Sequence, residues 1–378
     1  MKINIVMGPY YPIPPVRGLA VERRQYALAR EYIRRGHQVT IISRRFDGFP
    51  FSETEEDGLS HIRVKSWDAP KSRILYYFLD VIYILRVRLI LPKADVTVTN
   101  SISAPLLLPK SRGGALYVSV GRFPKGQMSF YKRVSRLQAV SHSVGDAICR
   151  QSPKVQHLVR VINNPISETF SDAAAKAIGS TAQGARRKEI VFLGRIAREK
   201  GVHLLIEAFK RLSPEFDDWV LHIIGPSEVK SGGDGEEYLD ELKFAARPLG
   251  KKISFDGPIY DVDEIVTRLQ AAEIFVYPSV AEKGEAFGIA PLEAMACGCS
   301  VIVSDLECFR DFVEPGVSGM TFDHRDDPVT HLADVCLCLM RSPRVRSRLG
   351  SAALRKSLEF SPSVIAERLL DDFESLTI

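Results

Sequence analysis

Two glutamates with seven residues between them stand in a stretch that could bind an anion and its flanking hydroxyl groups. The nonapeptide Glu285–Glu293, EAFGIAPLE, follows the apolar, strand-like run Ile274–Tyr277 and leads into a helix-like run that ends at a Cys-Gly pair. Backbone N–H groups at the start of a helix attract phosphate. The pattern therefore predicts a phosphate on the amides of Phe287, Gly288 and Ile289, with a carboxylate for hydroxyl groups on either side.

The two carboxylates would lie on the same side of the segment if the helix began near Phe287. In that case about two helical turns separate Glu285 from Glu293. The alternative is an ordinary loop between a strand and a helix, with two solvated glutamates, and the nonapeptide alone does not exclude it.

A second loop carries two cations suited to a diphosphate. The segment Gly194–Gly201, GRIAREKG, follows the strand-like run Glu189–Leu193 and precedes the helical pattern of Val202–Leu212. Arg195 and Lys200 thus lie beside a predicted helix start, although a solvated basic loop is the alternative. Because both loops leave the carboxyl ends of strands in one sheet, together they favour a diphosphate between two hydroxyl-rich groups, as in a nucleotide sugar.

Strands and helices alternate along the whole chain, which predicts an α/β protein with parallel sheets. The strand Lys2–Met7, the proline-rich loop Gly8–Gly18, the helix Leu19–Arg35 and the strand Gln38–Ile42 form the first βαβ unit. That loop lacks a dinucleotide-binding glycine pattern. Gly18 alone, near the helix start, would let a backbone amide approach a phosphate.

The length of 378 residues predicts two or three domains, with two favoured, and the alternating elements form two halves of similar size. We place the first domain at 1–170 and the second at 189–360, separated by a linker at 171–188 that is rich in small and polar residues and is compatible with a weak helix. Residues 361–378 form a last amphipathic helix. The content of 45% apolar and 26% charged residues is ordinary for a soluble globular protein.

The two halves of the chain differ in charge. Residues 1–164 hold 26 Lys or Arg against 11 Asp or Glu, and residues 165–378 hold 25 against 35. A basic half favours an acidic partner such as an anionic membrane surface or a phosphorylated acceptor, whereas charge complementarity between the halves is the alternative. We expect no nucleic-acid partner, because the basic residues are not interleaved with aromatic ones.

The longest apolar stretch, Ile74–Leu91, is interrupted by Asp80, Arg86 and Arg88. Three charges disfavour a helix that spans a membrane. We therefore predict an amphipathic helix that either covers the sheet or contacts a membrane surface, with the sheet slightly favoured.

Cysteine usage and the N-terminus predict a cytoplasmic protein. The six cysteines form no paired C-x2-C zinc pattern, and a short strand followed by prolines is not a secretory signal. The pair Asp261-x-Asp263 matches a metal-binding D-x-D, but its place before an apolar helix favours a helix cap. We therefore expect no metal and no cofactor.

Three stretches of the second half resemble the retaining family-4 glycosyltransferases of the GT-B fold. They are FLGRIAREKGVHLLIEAF (192–209), LHIIGP (221–226) and VYPSVAEKGEAFGIAPLEAMACGCSVIVSD (276–305). The first half resembles the family more loosely, through AVSHSV (139–144) and INNP (162–165). The resemblance implies two Rossmann-like, doubly wound domains facing across a cleft. The first would bind the acceptor and the second the nucleotide sugar, with the last helix crossing back to the first domain.

The resemblance also implies roles for single residues. In that family the first glutamate of the pair lies near the hydroxyls of the donor sugar and the second binds the ribose, which maps to Glu285 and Glu293. The diphosphate would be held by Arg195 and Lys200, so catalysis would rest on Arg195, Lys200 and Glu285. The same phosphates would be bound by the backbone of Gly18, Phe287, Gly288 and Ile289.

The chain departs from the family pattern in two loops of the first domain. Where family members usually have Gly-Gly, this chain has Arg17-Gly18, so only Gly18 is carried over. Family members often have a histidine after the strand that matches Leu116–Val120. The matching position here is Gly121, so either this chain lacks that histidine or the alignment is shifted by one residue. Arg122 and Lys125 in the same loop either bind an acidic acceptor or belong to an ordinary surface loop.

The resemblance implies a metal-independent transferase that retains the anomeric configuration. It would move a hexose from a nucleoside-diphosphate sugar, with UDP favoured and GDP next, to a saccharide or a lipid-linked saccharide in the synthesis of a polysaccharide or cell-envelope glycan. A lipid-linked acceptor would place the enzyme at the inner face of the cytoplasmic membrane. A sugar-nucleotide 2-epimerase on the same scaffold and a catalytically degenerate sugar-binding protein are the alternatives. The retained glutamate pair argues against both.

Overall fold

The structure is a computed structural model that describes residues 1–15, 20–179 and 186–377. The chain divides into two compact units. Unit 1 combines Met1–Ser167 with Pro362–Ile378, and unit 2 is Glu168–Ser361. Each unit contains a sheet of parallel strands with helices connecting them, which confirms the predicted α/β class.

Unit 1 is built on an eight-stranded sheet, counted over the residues described. Its strands are β1 (Lys2–Val6), β2 (Gln38–Arg44), β3 (Ser52–Thr54), β4 (Ser60–Val64), β5 (Val96–Thr99), β6 (Ala115–Val120), β7 (Arg136–Ala139) and β8 (Val159–Val161). Its first five helices are α1 (Ala20–Arg34), α2 (Arg73–Ile90), α3 (Ala104–Leu107), α4 (Lys110–Gly113) and α5 (His142–Gln151). The strand order is β3-β4-β2-β1-β5-β6-β7-β8, and the pairing of β3 with β4 is antiparallel.

Unit 2 is built on a six-stranded sheet, again within the part of the chain that is described. Its strands are β9 (Arg187–Leu193), β10 (Val220–Ile224), β11 (Ile253–Gly257), β12 (Ala272–Tyr277), β13 (Ser300–Ser304) and β14 (Met320–Phe322). Its helices are α6 (Glu168–Gly179), α7 (Val202–Leu212), α8 (Glu236–Ala246), α9 (Val262–Ala271), α10 (Ile289–Ala296), α11 (Pro328–Arg341) and α12 (Pro343–Ser357). The strand order is β11-β10-β9-β12-β13-β14.

Burial explains why these strands read as apolar runs in the sequence. All five residues of β13, SVIVS, are buried, as are four of the five in β1. A strand covered by helices on both faces has no solvent side, so apolar residues follow one another instead of alternating with polar ones. In α7 the apolar residues recur at helical spacing, and seven of its eleven residues are buried.

Each strand order reverses at one point. In unit 2 the order runs outward from β9 through β10 to β11, and then resumes on the other side of β9 with β12. In unit 1 the corresponding reversal lies between β1 and β5. Loops that leave the carboxyl ends of the two strands at such a point diverge, and the crevice between them is where open α/β sheets bind ligands.

The chain returns to unit 1 in its last helix, α13 (Pro362–Glu374), as the sequence predicts. Phe373 of α13 packs edge-on against Tyr32 of α1 and Tyr117 of β6, with ring centroids 5.8 and 4.7 Å apart. Asp372 pairs with Arg136 of β7 at 2.8 Å. The core of unit 1 therefore includes residues from both ends of the chain.

The segment predicted as a linker is partly helical. Helix α6 extends through residue 179, with Phe170 and Ala174 buried in unit 2. Alanines at helical spacing let α6 pack closely against α9, α10 and α12. Residues 180–185 of the predicted linker lie outside the described residues.

The predicted helix over Ile74–Leu91 is confirmed as α2. Its side chains Asp80, Tyr83, Ile84 and Val87 are buried. Over the described residues, we find no helix whose length and apolar character would suffice to cross a membrane.

Candidate functional site

The loops that follow β9 and β12 touch each other where the strand order of unit 2 reverses. Gly201, at the end of the first loop, has a φ of +70°, and a Cβ there would lie 1.9 Å from the carbonyl oxygen of Pro278 in the second loop. Because a side chain at this position would clash with backbone, glycine allows the two loops to approach this closely. Gly201 is also the residue from which α7 starts.

Hydrogen bonds fix the two loops to each other. The carbonyl oxygen of Glu199 accepts from the backbone N–H of Val280 at 2.8 Å and from the hydroxyl of Ser279 at 3.2 Å. The hydroxyl of Ser304, at the end of β13, donates to the carbonyl of Ser279. These hydrogen bonds hold the two loops, and the side chains that they carry, in fixed positions relative to each other.

The structure brings together two of the residues that the sequence singles out, Lys200 and Glu285. Lys200 Nζ lies 2.6 Å from Glu285 Oε2, and the two residues are 4% and 9% exposed. The ammonium also lies over the ring of Tyr277, 5.5 Å from its centroid. A buried charge is costly without its partner, so each of these groups depends on the other or on a ligand that replaces it.

The ring of Tyr277 lies beneath the ammonium of Lys200. Its ring stacks on Phe192 of β9, with centroids 5.7 Å apart. Burial raises the pKa of the Tyr277 hydroxyl well above its usual range, and the charge of Glu285 and a hydrogen bond to it raise that pKa further. The hydroxyl therefore remains protonated and can donate to Glu285.

Arg195, the other predicted phosphate ligand, lies half-exposed on the same loop as Lys200. Its guanidinium donates to Glu199 Oε1 at 3.0 Å and to the carbonyl of Gly232. The same carboxylate oxygen of Glu199 lies 3.9 Å from Lys200 Nζ. Glu199 thus contacts both cations, a role that sequence reasoning missed although this acid stands between them in GRIAREKG.

The start of α10 differs from the prediction. The helix begins at Ile289 rather than near Phe287, because Gly288 adopts a left-handed conformation with a φ of +80°. A Cβ at Gly288 would lie 2.4 Å from the ring of Phe309. Glu285 therefore precedes the helix by four residues, and the predicted helical alignment of Glu285 with Glu293 is wrong.

The backbone groups predicted to bind phosphate do lie at the start of α10. Phe287 and Gly288 lead directly into its first residue, Ile289, and Gly288 at the N-cap provides no side chain that could accept from the helix. Glu293 is half-buried within α10, where its charge contributes to raising the pKa of Cys297 after the larger effects of burial and Cys299. Whether these groups bind a ligand stays a prediction.

A tight turn positions Glu285. The backbone N–H groups of Gly284 and Glu285 both donate to the carbonyl of Ala281 at 3.0 Å. Glu282 in the same turn pairs with His324 at 3.0 Å and with Arg325 at 2.9 Å, beyond the end of β14. No local pattern in the chain predicts these contacts, since His324 is 42 residues from Glu282.

The site residues predicted in the first half of the chain belong to unit 1. Gly18 lies outside the described residues. Arg122 and Lys125 are exposed in the loop after β6. Arg122 lies close enough to Tyr76 of α2 to lower the pKa of that hydroxyl, although burial has the larger and opposite effect. At Gly121 a Cβ would meet no atom within 4 Å, so the loop has open space at the position where the family often has histidine.

The D-x-D match is a helix cap, as predicted. The side chain of Asp261 accepts from the backbone N–H of Asp263 at the start of α9. Within residues 1–15, 20–179 and 186–377, no group of three or more His, Cys, Asp or Glu side chains is arranged to hold a metal ion.

Comparison with known proteins agrees with this geometry. Residues 176–356, most of unit 2, match the family described as glycosyl transferases group 1. An alpha-maltose-1-phosphate synthase of Mycobacterium tuberculosis is 31% identical over 252 residues, which cover 63% of this chain and 62% of that protein. A phosphatidyl-myo-inositol mannosyltransferase of the same organism is 29% identical over 224 residues, 58% of this chain and 54% of that protein. The chain thus matches less than two thirds of the length of either relative.

Solved structures show the fold. Anabaena HepE, crystallised in complex with UDP, superposes with a TM-score of 0.73 at 17% identity, over 99% of this chain and 100% of that chain. At this identity the likeness concerns the fold alone. The chain has the GT-B fold, with two Rossmann-like units.

Proposed function

Because residues 176–356 match the family described as glycosyl transferases group 1, we propose that this chain is a retaining glycosyltransferase. It moves a hexose from a nucleoside-diphosphate sugar to a saccharide or a lipid-linked saccharide. A UDP-sugar is the favoured donor and a GDP-sugar the next, since a protein of the same fold was crystallised with UDP.

The contact between Lys200 and Glu285 carries this proposal. In a nucleotide sugar the anomeric phosphate and the sugar hydroxyls are a few bonds apart, so a site for both needs a cation and a hydroxyl acceptor side by side. Lys200 Nζ and Glu285 Oε2 are 2.6 Å apart at the point where the strand order reverses. Lys200 has three donor hydrogens, so it can bind a phosphate oxygen while keeping Glu285.

The remaining predicted ligands extend the donor site in both directions. Arg195 reaches the diphosphate from the same loop as Lys200, and the N–H groups of Phe287, Gly288 and Ile289 bind it from the start of α10. Glu293 binds the ribose hydroxyls, and Glu285 those of the hexose.

Catalysis follows from the charge that develops on the leaving group. The bond between the anomeric carbon and the phosphate oxygen breaks as the acceptor oxygen bonds to the same carbon, on the face that the phosphate leaves. The acceptor proton passes to the leaving diphosphate. Lys200 and Arg195 stabilise that diphosphate, by about 2–4 kcal/mol each if they are preorganised. These two cations neutralise the charge on the leaving diphosphate, a role that a metal ion has in other transferases. We therefore expect activity in excess chelator.

A thermal-shift screen of UDP- and GDP-sugars tests the donor site, because a ligand that binds the folded state raises the apparent stability. We expect a shift with at least one UDP-sugar in the presence of EDTA. Glu293→Gln should reduce it, whereas the matched control Glu264→Gln on α9 should not. If no nucleotide sugar shifts the transition, the proposed donor site is wrong. Product analysis with a saccharide acceptor then separates transfer, which releases the nucleoside diphosphate, from 2-epimerisation, which does not.

A further inference from the structure

Helix α2 of unit 1 is apolar on two opposite sides. One side packs inside unit 1 through Tyr83, Ile84 and Val87. The opposite side carries a row of apolar residues at positions i, i+4, i+7, i+11 and i+15, here called the α2 stripe: Ile74, Phe78, Val81, Leu85 and Leu89. A surface helix ordinarily turns polar residues to solvent, so a second apolar side indicates a second partner.

The α2 stripe is exposed along its whole length. Ile74, Phe78 and Leu89 are 84%, 58% and 77% exposed, and Val81 and Leu85 are exposed as well. Single exposed apolar residues are normal on protein surfaces, but a continuous row over four helical turns is not. The stripe is therefore a candidate interaction surface.

Cations surround this surface. Lys71 and Arg73 are exposed at the N-terminal end of α2, and at the other end Arg88 is exposed and Arg112 donates to the carbonyl of Leu89 at 3.4 Å. Residues 71–135 contain eleven Lys or Arg and two Asp or Glu.

Both acids of this segment have partners within unit 1, although Asp95 is exposed. Asp80 is buried among hydroxyl groups, and Asp95 accepts from the backbone N–H of Lys2 at 2.7 Å. The surface around the stripe is therefore positively charged. An apolar row flanked by cations is typical of a helix that lies in the plane of a membrane interface.

We propose that the α2 stripe rests on the surface of an anionic lipid bilayer, with its apolar side chains in the acyl boundary and the flanking cations at the headgroups. The charge favours this occupant over a second copy of the chain, because a pair of copies joined through α2 would bring the same cations together. The contact is peripheral, as the charges within α2 require.

The proposal adds to the donor chemistry and does not depend on it. The α2 stripe lies in unit 1, whereas the contact between Lys200 and Glu285 lies in unit 2. Membrane contact and donor binding then belong to different units and can be measured separately.

Cosedimentation of the full chain with unilamellar vesicles tests the proposal. We expect binding to mixed phosphatidylglycerol and phosphatidylcholine vesicles, and little to pure phosphatidylcholine. Phe78→Glu with Leu85→Glu should weaken that binding by about tenfold or more, because two apolar side chains lose their burial. The matched control is Phe244→Glu on α8 of unit 2, where the phenylalanine is 66% exposed, and it should bind like wild type.

A second variant tests the charges. Lys71→Gln with Arg73→Gln should weaken binding to the anionic vesicles severalfold and reduce its dependence on salt. Both side chains are exposed, so this variant carries the test if the glutamate variant fails to fold. The shift produced by a nucleotide sugar should be unchanged in each variant, which separates this proposal from the proposed function.

Three results would overturn the proposal. If the wild-type protein stays in the supernatant with anionic vesicles, the α2 stripe does not bind a bilayer. A folded glutamate variant that sediments like wild type places the contact elsewhere. A wild-type dimer in sedimentation velocity without lipid, converted to monomer by the same two substitutions, would make the stripe an interface between copies.

Discussion

The two units each hold a buried carboxylate beside the point where their strand order reverses, and the partners of the two carboxylates differ. In unit 2, Glu285 pairs with the ammonium of Lys200 at 2.6 Å. In unit 1, Asp80 of α2 accepts from the loop after β5, from Ser103 N at 2.9 Å, from Ser103 Oγ at 2.6 Å and from Ser101 Oγ at 3.0 Å.

This difference separates a site from a structural contact. The hydroxyl and amide donors around Asp80 satisfy its oxygens within the fold, so nothing remains for a ligand to contribute. Lys200 keeps donor hydrogens beyond the one that Glu285 accepts, and a bound phosphate could use them. We therefore expect substitutions near Glu285 to alter turnover and substitutions at Asp80 to alter stability.

The largest effect is expected from Lys200→Ala. It removes a buried cation from the proposed diphosphate site and leaves Glu285 without its partner. Turnover should fall by about 10²–10³, the scale of losing one preorganised charge donor. Steady-state kinetics of sugar transfer measures it, with Lys210→Ala on the surface of α7 as the control. Turnover near that of wild type would show that Lys200 has no role in catalysis. Glu285 would then be a structural carboxylate like Asp80.

Arg195→Ala should have the next largest effect, a loss of about 10² in turnover. We place it below Lys200→Ala because the guanidinium is half-exposed and water screens its charge. The control is Arg198→Ala in the same loop, whose guanidinium pairs with Glu241 on α8. Equal kinetics in the two arginine variants would contradict the assignment of Arg195 to the diphosphate.

Asp80→Ala should lower the stability of unit 1 and leave donor binding intact. Loss of the carboxylate deprives the buried N–H of Ser103 of its acceptor, at a cost of about 1–3 kcal/mol. Urea unfolding followed by Trp67 reports on this region, because its ring lies 4.5 Å from the guanidinium of Arg86 on α2. A Trp219→Phe background removes the other tryptophan, which lies in unit 2. If Asp80→Ala left the urea midpoint unchanged but impaired donor binding, Asp80 would belong to a binding site and would not be a structural carboxylate.

The stability of unit 1 should also depend on pH through Asp80. Burial raises the pKa of this carboxyl above its ordinary value of 3.8, although its hydrogen bonds lower it in part. The folded state then holds the proton more tightly than the unfolded chain, so the contribution to stability is full below pH 3.8 and is lost as the pH rises through the raised pKa. Urea midpoints of wild type should fall over that range relative to Asp80→Asn, which cannot ionise. Parallel curves would show that Asp80 does not titrate differently in the two states.

The smallest effect is expected at Asp261. Its replacement by alanine removes the cap of α9, at a cost of about 1 kcal/mol in the stability of unit 2. Turnover in EDTA should equal that of wild type, because the carboxylate caps α9 and the proposed mechanism uses no metal. A large loss of turnover that is restored by a divalent cation would contradict both the cap and the metal-independent mechanism.

The strands, most of the helices and the residues at their ends could be predicted from the chain alone. Apolar runs and helical spacing placed the strands and most helices, because burial between helix layers leaves a periodic trace in the chain. The same patterns put Arg195, Lys200 and Glu285 in loops at the carboxyl ends of strands. They also identified the cap at Asp261.

Which of these residues contact each other depends on how the chain folds in three dimensions. Lys200 and Glu285 are 85 residues apart, and they touch because β9 and β12 are neighbours and because Gly201 lets their loops approach. The left-handed Gly288, and not helical periodicity, sets the position of Glu285 relative to α10. Local periodicity depends on near neighbours in the chain, whereas these contacts depend on strand order and on space between side chains, for which a single sequence carries no local signal.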